Sequence, residues 1–160
     1  MSFQRQARVL LAGSVVLLVV GIYFGIQHER RAAISFNEGS AYVRLSQLEY
    51  ALDLYYDRYG HYPDRAEQLR APAGDTAPDE NHAATLSDPT SANPVNEGYA
   101  FTYHRTKDPD GYRINADPVS PGHTGVRHWY TSSDGPTRFD DQKSANGNST
   151  IAMPSNLARK

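Results

Sequence analysis

A stripe of apolar residues and its abrupt stop constrain this chain most. The stripe recurs in alternating steps of four and three residues, the period of one helix face, at Ala41, Leu45, Leu48, Leu52, Tyr55 and Tyr59. Gly60 then acts as a left-handed cap, and Pro63 prevents the helix from resuming. The core residues predicted from this segment are Leu45, Leu48, Leu52, Tyr55, Tyr59 and Tyr62.

Two questions about this helix have alternative answers: whether it packs on a sheet or in a coiled coil, and where it begins. The stripe covers fewer than three heptads and contains tyrosines, which favours packing on a sheet over a coiled coil. Ser35 and Glu38 match a capping box, which would start the helix near residue 36. Otherwise one helix continues from the N-terminal apolar segment to Tyr59, and we favour this continuous helix.

The N-terminal segment 9–26 contains no charged residue and is about long enough to span a bilayer core. Arginines flank it on both sides. We therefore expect a short tail at 1–8 and a transmembrane helix at 9–26. A cleaved signal peptide is the alternative, but its apolar region would be shorter and would end at small residues.

The flanks of this segment predict its orientation and its contacts. The tail carries no acid, which favours a cytoplasmic N-terminus and a periplasmic domain in a single-pass protein of the bacterial inner membrane. Gly21 and Gly25 form a Gly-x-x-x-Gly pattern that lets another helix approach closely. The expected partners are the lipid bilayer and other integral membrane subunits.

The rest of the chain reads as a loop followed by a sheet. Residues 71–97 show no periodicity and are rich in turn-forming residues, which predicts a long loop. Alternating segments follow, from Tyr99 to Phe139, separated by Asp-Gly turns. We expect an α+β fold in which the long helix packs on a three- to four-stranded antiparallel meander within 27–140. Residues 141–160 are polar, which predicts an extended or disordered tail.

Composition excludes several classes of function. The 160 residues include no cysteine, so disulfides, thiolate metal sites and cysteine nucleophiles are excluded. The net charge is −2 and no basic cluster lies outside the flanks of 9–26, so nucleic acid is not an expected partner. Only 39% of the residues are hydrophobic, and many of these lie near the N-terminus. A domain with a small core is only marginally stable alone, which favours a protein that is stabilised by a partner.

The stretch LEYALDLYYDRYGHYPDRAEQL at 48–69, with the later segments GYRINADPVSPG and WYTSSDG, resembles the type IV pilin-like proteins. The nearest type is the major pseudopilin of type II secretion. The positions that carry the resemblance are Leu54, Tyr55, Asp57, Gly60, Tyr62 and Pro63. The N-terminal sequence has neither the prepilin leader signature nor the glutamate that registers pilin subunits. We therefore expect a pilin-like domain reused on a permanent anchor.

The same resemblance implies one metal site. Pseudopilins often carry calcium in the C-terminal loop of the sheet, and the matching segment here is YTSSDGPTRFDD. Calcium prefers several oxygen ligands, which could come from Ser133, Asp134, Asp140 and Asp141. The alternative is a hairpin turn followed by solvated acids. No other cofactor is expected.

No catalytic motif is present in the sequence, so we expect a protein that is not an enzyme. Gly-x-Ser-x-Gly, phosphate-loop and dinucleotide patterns are all missing, and no histidines have helical zinc spacing. The predicted function is a structural or assembly subunit of a larger membrane complex of the secretion, respiratory or photosynthetic type. The alternative is a pilin or pseudopilin filament subunit of a type IV pilus or type II secretion system.

Overall fold

The computed structural model describes residues 3–86, 93–107 and 110–152, and for residues 3–15 the backbone alone. Helix α1 spans Phe3–Tyr59 and is followed by a 3₁₀ turn at Ala66–Leu69. The strands are β1 Val95–Asn96, β2 Tyr99–Lys107, β3 Asp110–Pro118, β4 His128–Ser132, β5 Gly135–Asp140 and β6 Thr150–Ile151.

Helix α1 is one continuous helix of 57 residues, about 85 Å long at the usual rise per residue. It ends at Tyr59, as predicted, and the continuous helix is confirmed over the capping-box alternative. Gly60 has a φ of +74°, and its N–H donates to the carbonyl oxygen of Tyr56 at 2.8 Å. The left-handed glycine therefore satisfies a helix-end carbonyl while it turns the chain away from the helix axis.

The six strands form one antiparallel sheet in sequence order. The inner face of the sheet packs on the second half of α1. Tyr112, Ile114 and Ala116 alternate along β3 and are buried, and Trp129 is buried on β4 beside the Tyr42 ring. The helix and the inner sheet face therefore share one core, which we call the head.

The predicted three- to four-stranded meander is wrong, because the sheet has six strands. The additional strands, β1 and β6, contain two residues each, which is too short for an alternating pattern to be recognised. β1 lies inside the predicted loop 71–97, and β6 lies inside the predicted tail 141–160. Residues 87–92 of that loop and residues 153–160 of that tail lie outside the described residues.

The predicted fold class is also corrected at its N-terminus. Among the described residues, no helix combines the length and the apolar character needed to cross a membrane. Within the described side chains, the apolar stretch runs from Val16 to Ile26 and is followed by the charged residues Glu29, Arg30 and Arg31. The earlier part of the expected span, residues 9–15, lies outside the described side chains.

The first part of the loop after α1 is tied to the head. The Tyr55 hydroxyl donates to the Glu80 carbonyl oxygen at 2.8 Å, and the Ala83 N–H donates to the Gln68 carbonyl oxygen at 2.8 Å. Ala83 and Leu86 are buried in the core. This part of the predicted loop is therefore packed, although it contains no regular strand.

Candidate functional site

Between Ala32 and Leu52, α1 turns its charged side chains toward the sheet. Glu38 is 5% exposed and accepts the backbone N–H groups of Val126 at 2.8 Å and Arg127 at 3.1 Å. Glu49 accepts hydrogen bonds from the hydroxyls of Thr131 and Thr137. Two carboxylates that would normally face water are thus used to hold the sheet.

Arg44 follows the same arrangement. Its side chain is 4% exposed, it donates from Nη2 to the Asn93 carbonyl oxygen at 2.6 Å, and its guanidinium lies 4.4 Å from the centre of the Phe101 ring. A buried guanidinium needs such acceptors and ring contacts to offset its lost hydration. The charge on this residue is therefore directed into the head.

The opposite face of the same helix segment is uncharged and partly apolar. The large apolar side chains on it are 66%, 55%, 66% and 37% exposed at Phe36, Val43, Tyr50 and Leu54. Between Ala32 and Leu52, every exposed side chain of α1 is uncharged. The residues in question are Ala32, Ala33, Ser35, Phe36, Gly39, Val43, Ser46, Gln47 and Tyr50. We call this surface the outer face of α1.

The outer face has the geometry of a helix-packing seam. Phe36, Val43 and Tyr50 are seven residues apart in turn, and Leu54 follows after four, so they stand in one row along the helix. A surface helix ordinarily places its charges outside and its apolar side chains inside. Contiguous exposed apolar surface of this kind marks contact sites.

A groove of about 460 Å³ runs beside the outer face. Phe36 and Val43 line one wall, and Asn96, Glu97 and Phe101 line the other. The groove lies where α1 leaves the head, so a second helix that follows the outer face would reach the β1–β2 edge of the sheet. The seam and the groove therefore form one continuous surface.

The first half of α1 projects away from the head. Its described apolar side chains are all well exposed and occur on every side of the helix: Val16, Leu17, Leu18, Val19, Val20, Ile22, Tyr23, Phe24 and Ile26. Gly21 and Gly25 lie in this segment, and no atom of the described residues lies within 4 Å of a Cβ built on either. The expected helix-packing contact of these glycines is open in the isolated chain.

The structure places the predicted core residues at the interface between α1 and the sheet. Leu45, Leu48, Leu52 and Tyr55 are buried in the core cluster, and the half-buried Tyr59 and Tyr62 pack against it. The rings of Tyr55 and Tyr59 have centres 4.6 Å apart and planes tilted by 49°. The tyrosines therefore join the end of α1 to the sheet and the chain that follows it.

An ion network holds the chain where it leaves α1. The Tyr62 N–H donates to Asp110 Oδ2 at 3.1 Å, and Arg105 Nε donates to Asp110 Oδ1 at 2.9 Å. Arg105 also donates to Asp64 at 3.1 Å. Burial tends to raise the pKa of Asp110, but the hydrogen bonds from Arg105 and Tyr62 outweigh it and leave that pKa below the ordinary value. The network favours the ionised carboxylate and fixes β3 against the helix end.

The structure separates the four residues expected to bind calcium. Ser133 and Asp134 lie at the β4–β5 turn, whereas Asp140 and Asp141 lie at the far end of β5, about 17 Å along the strand. Calcium ligands all lie about 2.3–2.6 Å from the ion, so these oxygens cannot share one ion. Asp140 accepts backbone N–H groups from Gln142 and Lys143, and Asp141 accepts from Arg127.

The histidines of the described residues do not form a metal site. These residues contain no group of three or more acidic or histidine side chains arranged to hold a metal ion. Three histidines each pair with one acid: His61 with Glu80 at 2.6 Å, His82 with Asp79 at 3.6 Å and His128 with Asp117 at 2.6 Å. The His61 and His128 pairs link neighbouring segments of the head.

Sequence reasoning missed the outer face of α1 and the inward use of its charges. The pattern that could have revealed it is the second apolar row, Phe36, Val43 and Tyr50 at seven-residue intervals. This row was missed because it has the same helical period as the buried stripe, which contains more apolar residues and accounted for the pattern. The inward direction of Glu38 and Arg44 was not visible in the sequence, since their hydrogen-bond partners lie in loop residues far along the chain.

No protein-family model matches the sequence, and comparisons with curated proteins and with solved structures likewise give no match. The surfaces of this chain are therefore the basis on which its function is inferred.

Proposed function

We propose that this chain is a non-catalytic structural subunit of a larger membrane protein complex, joined to the helices of other subunits along α1. The observation that carries the proposal is the reversed polarity of α1 between Ala32 and Leu52. Glu38 and Arg44 are buried against the head, while Phe36, Val43 and Tyr50 face outward. A helix surface of this composition is stable when another helix covers it.

The first half of α1 supports the same proposal. Its exposed apolar side chains from Val16 to Ile26 lie on the same helix, on the N-terminal side of the charged residues Glu29, Arg30 and Arg31, so partner helices can contact this segment as well as the outer face. The close-approach glycines Gly21 and Gly25 lie within this segment. The proposed setting is the bacterial inner membrane with the head on the periplasmic side. The proposal requires α1 to be covered by partner subunits, not to cross a bilayer alone.

A filament subunit of the pilin or pseudopilin type is the second candidate. One observation favours it: the head lies on one side of α1, which leaves the outer face free along its length. Parallel copies could then meet along uncharged rows without their heads colliding. The two candidates differ in the partner, because one uses other subunits and the other uses copies of this chain.

The test is to extract membranes of the source bacterium in mild detergent, capture the full-length protein, and identify what is purified with it. A stoichiometric set of other subunits would support the structural-subunit proposal. Polymers made of this chain would support the filament candidate. Recovery as a monomer without any partner would overturn both.

A pair of variants ties the result to the outer face. The double substitution Val43→Glu, Tyr50→Glu places two charges on the outer face and is expected to release the partners. Glu67→Lys changes an exposed charge on the 3₁₀ turn of the head and is the matched control. Both variants should unfold like the unmodified head, because the changed side chains are exposed. Retention of the partners by the double variant would contradict the proposed surface.

A further inference from the structure

A second groove, lined by tyrosines, lies at the opposite end of the head from the first half of α1. It has a volume of about 610 Å³. Tyr56, Tyr62, Tyr112 and Tyr130 line it together with Asp110 and Asp134. Tyr56 lies thirty positions after Ile26 on α1, which is about 45 Å of helix. The groove therefore lies far from the first half of α1, whereas Leu54, the last residue of the outer-face row, comes two positions before Tyr56.

Three of the rings form a corner. Tyr56 and Tyr62 have ring centres 4.8 Å apart with planes tilted by 38°, and Tyr62 and Tyr112 have centres 5.0 Å apart with planes at 74°. The corner therefore presents aromatic surfaces in several directions. Such faces carry the negative part of the ring quadrupole and attract cations.

The hydroxyls of these tyrosines differ from those of Tyr55, Tyr99 and Tyr103. Tyr55, Tyr99 and Tyr103 each donate a hydrogen bond to a backbone carbonyl oxygen. Within the described part of the chain, the hydroxyls of the four groove tyrosines, Tyr56, Tyr62, Tyr112 and Tyr130, make no hydrogen bond. The fold thus satisfies the hydroxyls of Tyr55, Tyr99 and Tyr103, whereas the groove tyrosines, including the largely buried Tyr112, keep their hydrogen-bonding capacity.

The charges around the groove are mainly negative. Asp53 and Asp57 stand on α1 beside Tyr56, and Asp134 lines the groove from the β4–β5 turn. Burial raises the pKa of Tyr62, and the nearby carboxylates of Asp53, Asp110 and Asp57 raise it further.

The cations near the groove do not balance these acids. Arg105 is already shared between Asp64 and Asp110, so it does not compensate the other carboxylates. Arg113 is the cation among the side chains that line the groove. The surroundings of the tyrosine corner therefore carry an excess of negative charge.

The strand beside the groove departs from regular pairing. The register between β4 and β5 shifts between Tyr130 and Ser132, both of which line the groove. A bulge of this kind redirects side chains at the end of a strand, and bulges are frequent next to binding sites. At the neighbouring Gly111, a Cβ would collide with the Ser133 hydroxyl. The end of β4, the β4–β5 turn and Gly111 therefore together form part of the groove lining.

We propose that this groove binds an arginine side chain of a partner polypeptide, with the guanidinium over the tyrosine corner and its N–H groups directed to the acids at the rim. Arginine fits better than lysine, because its planar guanidinium stacks on rings while it donates several hydrogen bonds at once. Tyrosine and arginine are also the residue types that dominate interface energetics. The proposal does not depend on how α1 is covered.

The test uses the full-length protein, with the tyrosine ring resonances followed by nuclear magnetic resonance during titration. The probe is a short uncharged peptide with one central arginine, and the matched probe carries citrulline, which keeps the shape but not the charge. The arginine peptide is expected to shift the rings of Tyr56, Tyr62 and Tyr112 and to bind at least about tenfold more tightly than the citrulline peptide.

Two variants locate the binding. Tyr56→Leu keeps apolar bulk but removes the ring, and it should weaken binding of the arginine peptide about tenfold. Tyr50→Leu is the control, since Tyr50 is an exposed tyrosine of the same helix outside the groove, and it should leave binding unchanged. Thermal unfolding of both variants verifies that the head is intact.

Three outcomes would overturn the proposal. One is equal binding of the arginine and citrulline peptides, and another is the absence of ring shifts at millimolar peptide. The third is a response of the rings to neutral oligosaccharides but not to the arginine peptide, which would assign the groove to a sugar. Any of these results leaves the assembly along α1 untouched, so the two proposals fail separately.

Discussion

The carboxylate of Glu38 accepts the backbone N–H of Val126 at 2.8 Å, although the two residues are 88 positions apart. The same oxygen accepts the N–H of Arg127 at 3.1 Å. One helix side chain thus satisfies two backbone donors in the segment that leads into β4. This contact fixes the position of α1 on the sheet and frees the outer face of the helix from charge.

Removal of this acceptor should destabilise the head. Glu38→Ala leaves two N–H groups without the carboxylate, and the free energy of unfolding is expected to fall by about 2–3 kcal/mol. Glu38→Gln keeps a neutral acceptor and should cost about half as much. Urea denaturation followed by circular dichroism measures both. Equal stability of the alanine variant and the unmodified protein would show that the contact contributes nothing.

The two glycines Gly60 and Gly39 should respond to alanine in opposite directions. Gly60 has a φ of +74°, so Gly60→Ala is expected to lower the free energy of unfolding by about 1–2 kcal/mol. Gly39 lies inside α1, and no described atom lies within 4 Å of the position that a Cβ would take there. Gly39→Ala should therefore raise stability by up to about 1 kcal/mol. Thermal denaturation measures both variants. The space around a Cβ is open at Gly60 as well as at Gly39, so a loss of stability in Gly60→Ala would come from its backbone conformation and not from a steric clash.

Alkaline pH should weaken the head through its buried tyrosines. Burial, with smaller effects of Glu80 and Tyr59, raises the pKa of Tyr55 to about 12, and burial likewise raises the pKa of Tyr103 and Tyr112. The ordinary tyrosine value is 10.0. The unfolded chain therefore loses these protons first, and the stability that is fully present below pH 10 falls as pH rises toward 12 and beyond.

Tyr103→Phe provides the comparison for this pH dependence. At neutral pH it should cost about 1 kcal/mol, because the Tyr103 hydroxyl donates to the Pro63 carbonyl oxygen at 2.6 Å. Above pH 10 the difference from the unmodified protein should shrink, since the variant lacks one group that ionises on unfolding. Denaturant titrations at several alkaline pH values test this. A difference that stays constant with pH would contradict the assignment.

The loss of stability at acidic pH should depend on Asp110. Arg105 and the Tyr62 N–H outweigh burial and hold the pKa of Asp110 below its ordinary value of 3.8. Its contribution is thus present above about pH 3.8 and is lost as pH falls through the lowered value. Asp110→Asn should cost about 1–2 kcal/mol at neutral pH and much less in strong acid.

A matched substitution checks the Asp110 result. Asp75 is exposed and forms no ion pair with the described residues, so Asp75→Asn should change the free energy of unfolding by less than about 0.5 kcal/mol at any pH. If the cost of Asp110→Asn did not decline on acidification, the ion network would not be the cause of its effect.

The sequence by itself determined the helix and its end. The stripe from Ala41 to Tyr59 and the stop at Gly60 are local properties, because helical period and left-handed backbone are set by neighbouring residues. The centres of β2 to β5 were visible for the same reason, since alternation and Asp-Gly turns act over a few residues. For the N-terminal segment the sequence predicted a membrane span, whereas no helix of the described residues has the length and apolar character to cross a membrane.

Only the tertiary structure decided the rest. β1 and β6 exist because longer strands offer them partners, and two residues carry no period of their own. The acids of the expected calcium site separated because β5 holds them at its two ends. Glu38 and Arg44 point inward because the fold brings their hydrogen-bond partners, which lie far along the chain, next to the helix. Such contacts depend on how the sheet packs on the helix. The same packing leaves the outer face of α1 and the tyrosine groove open to partners.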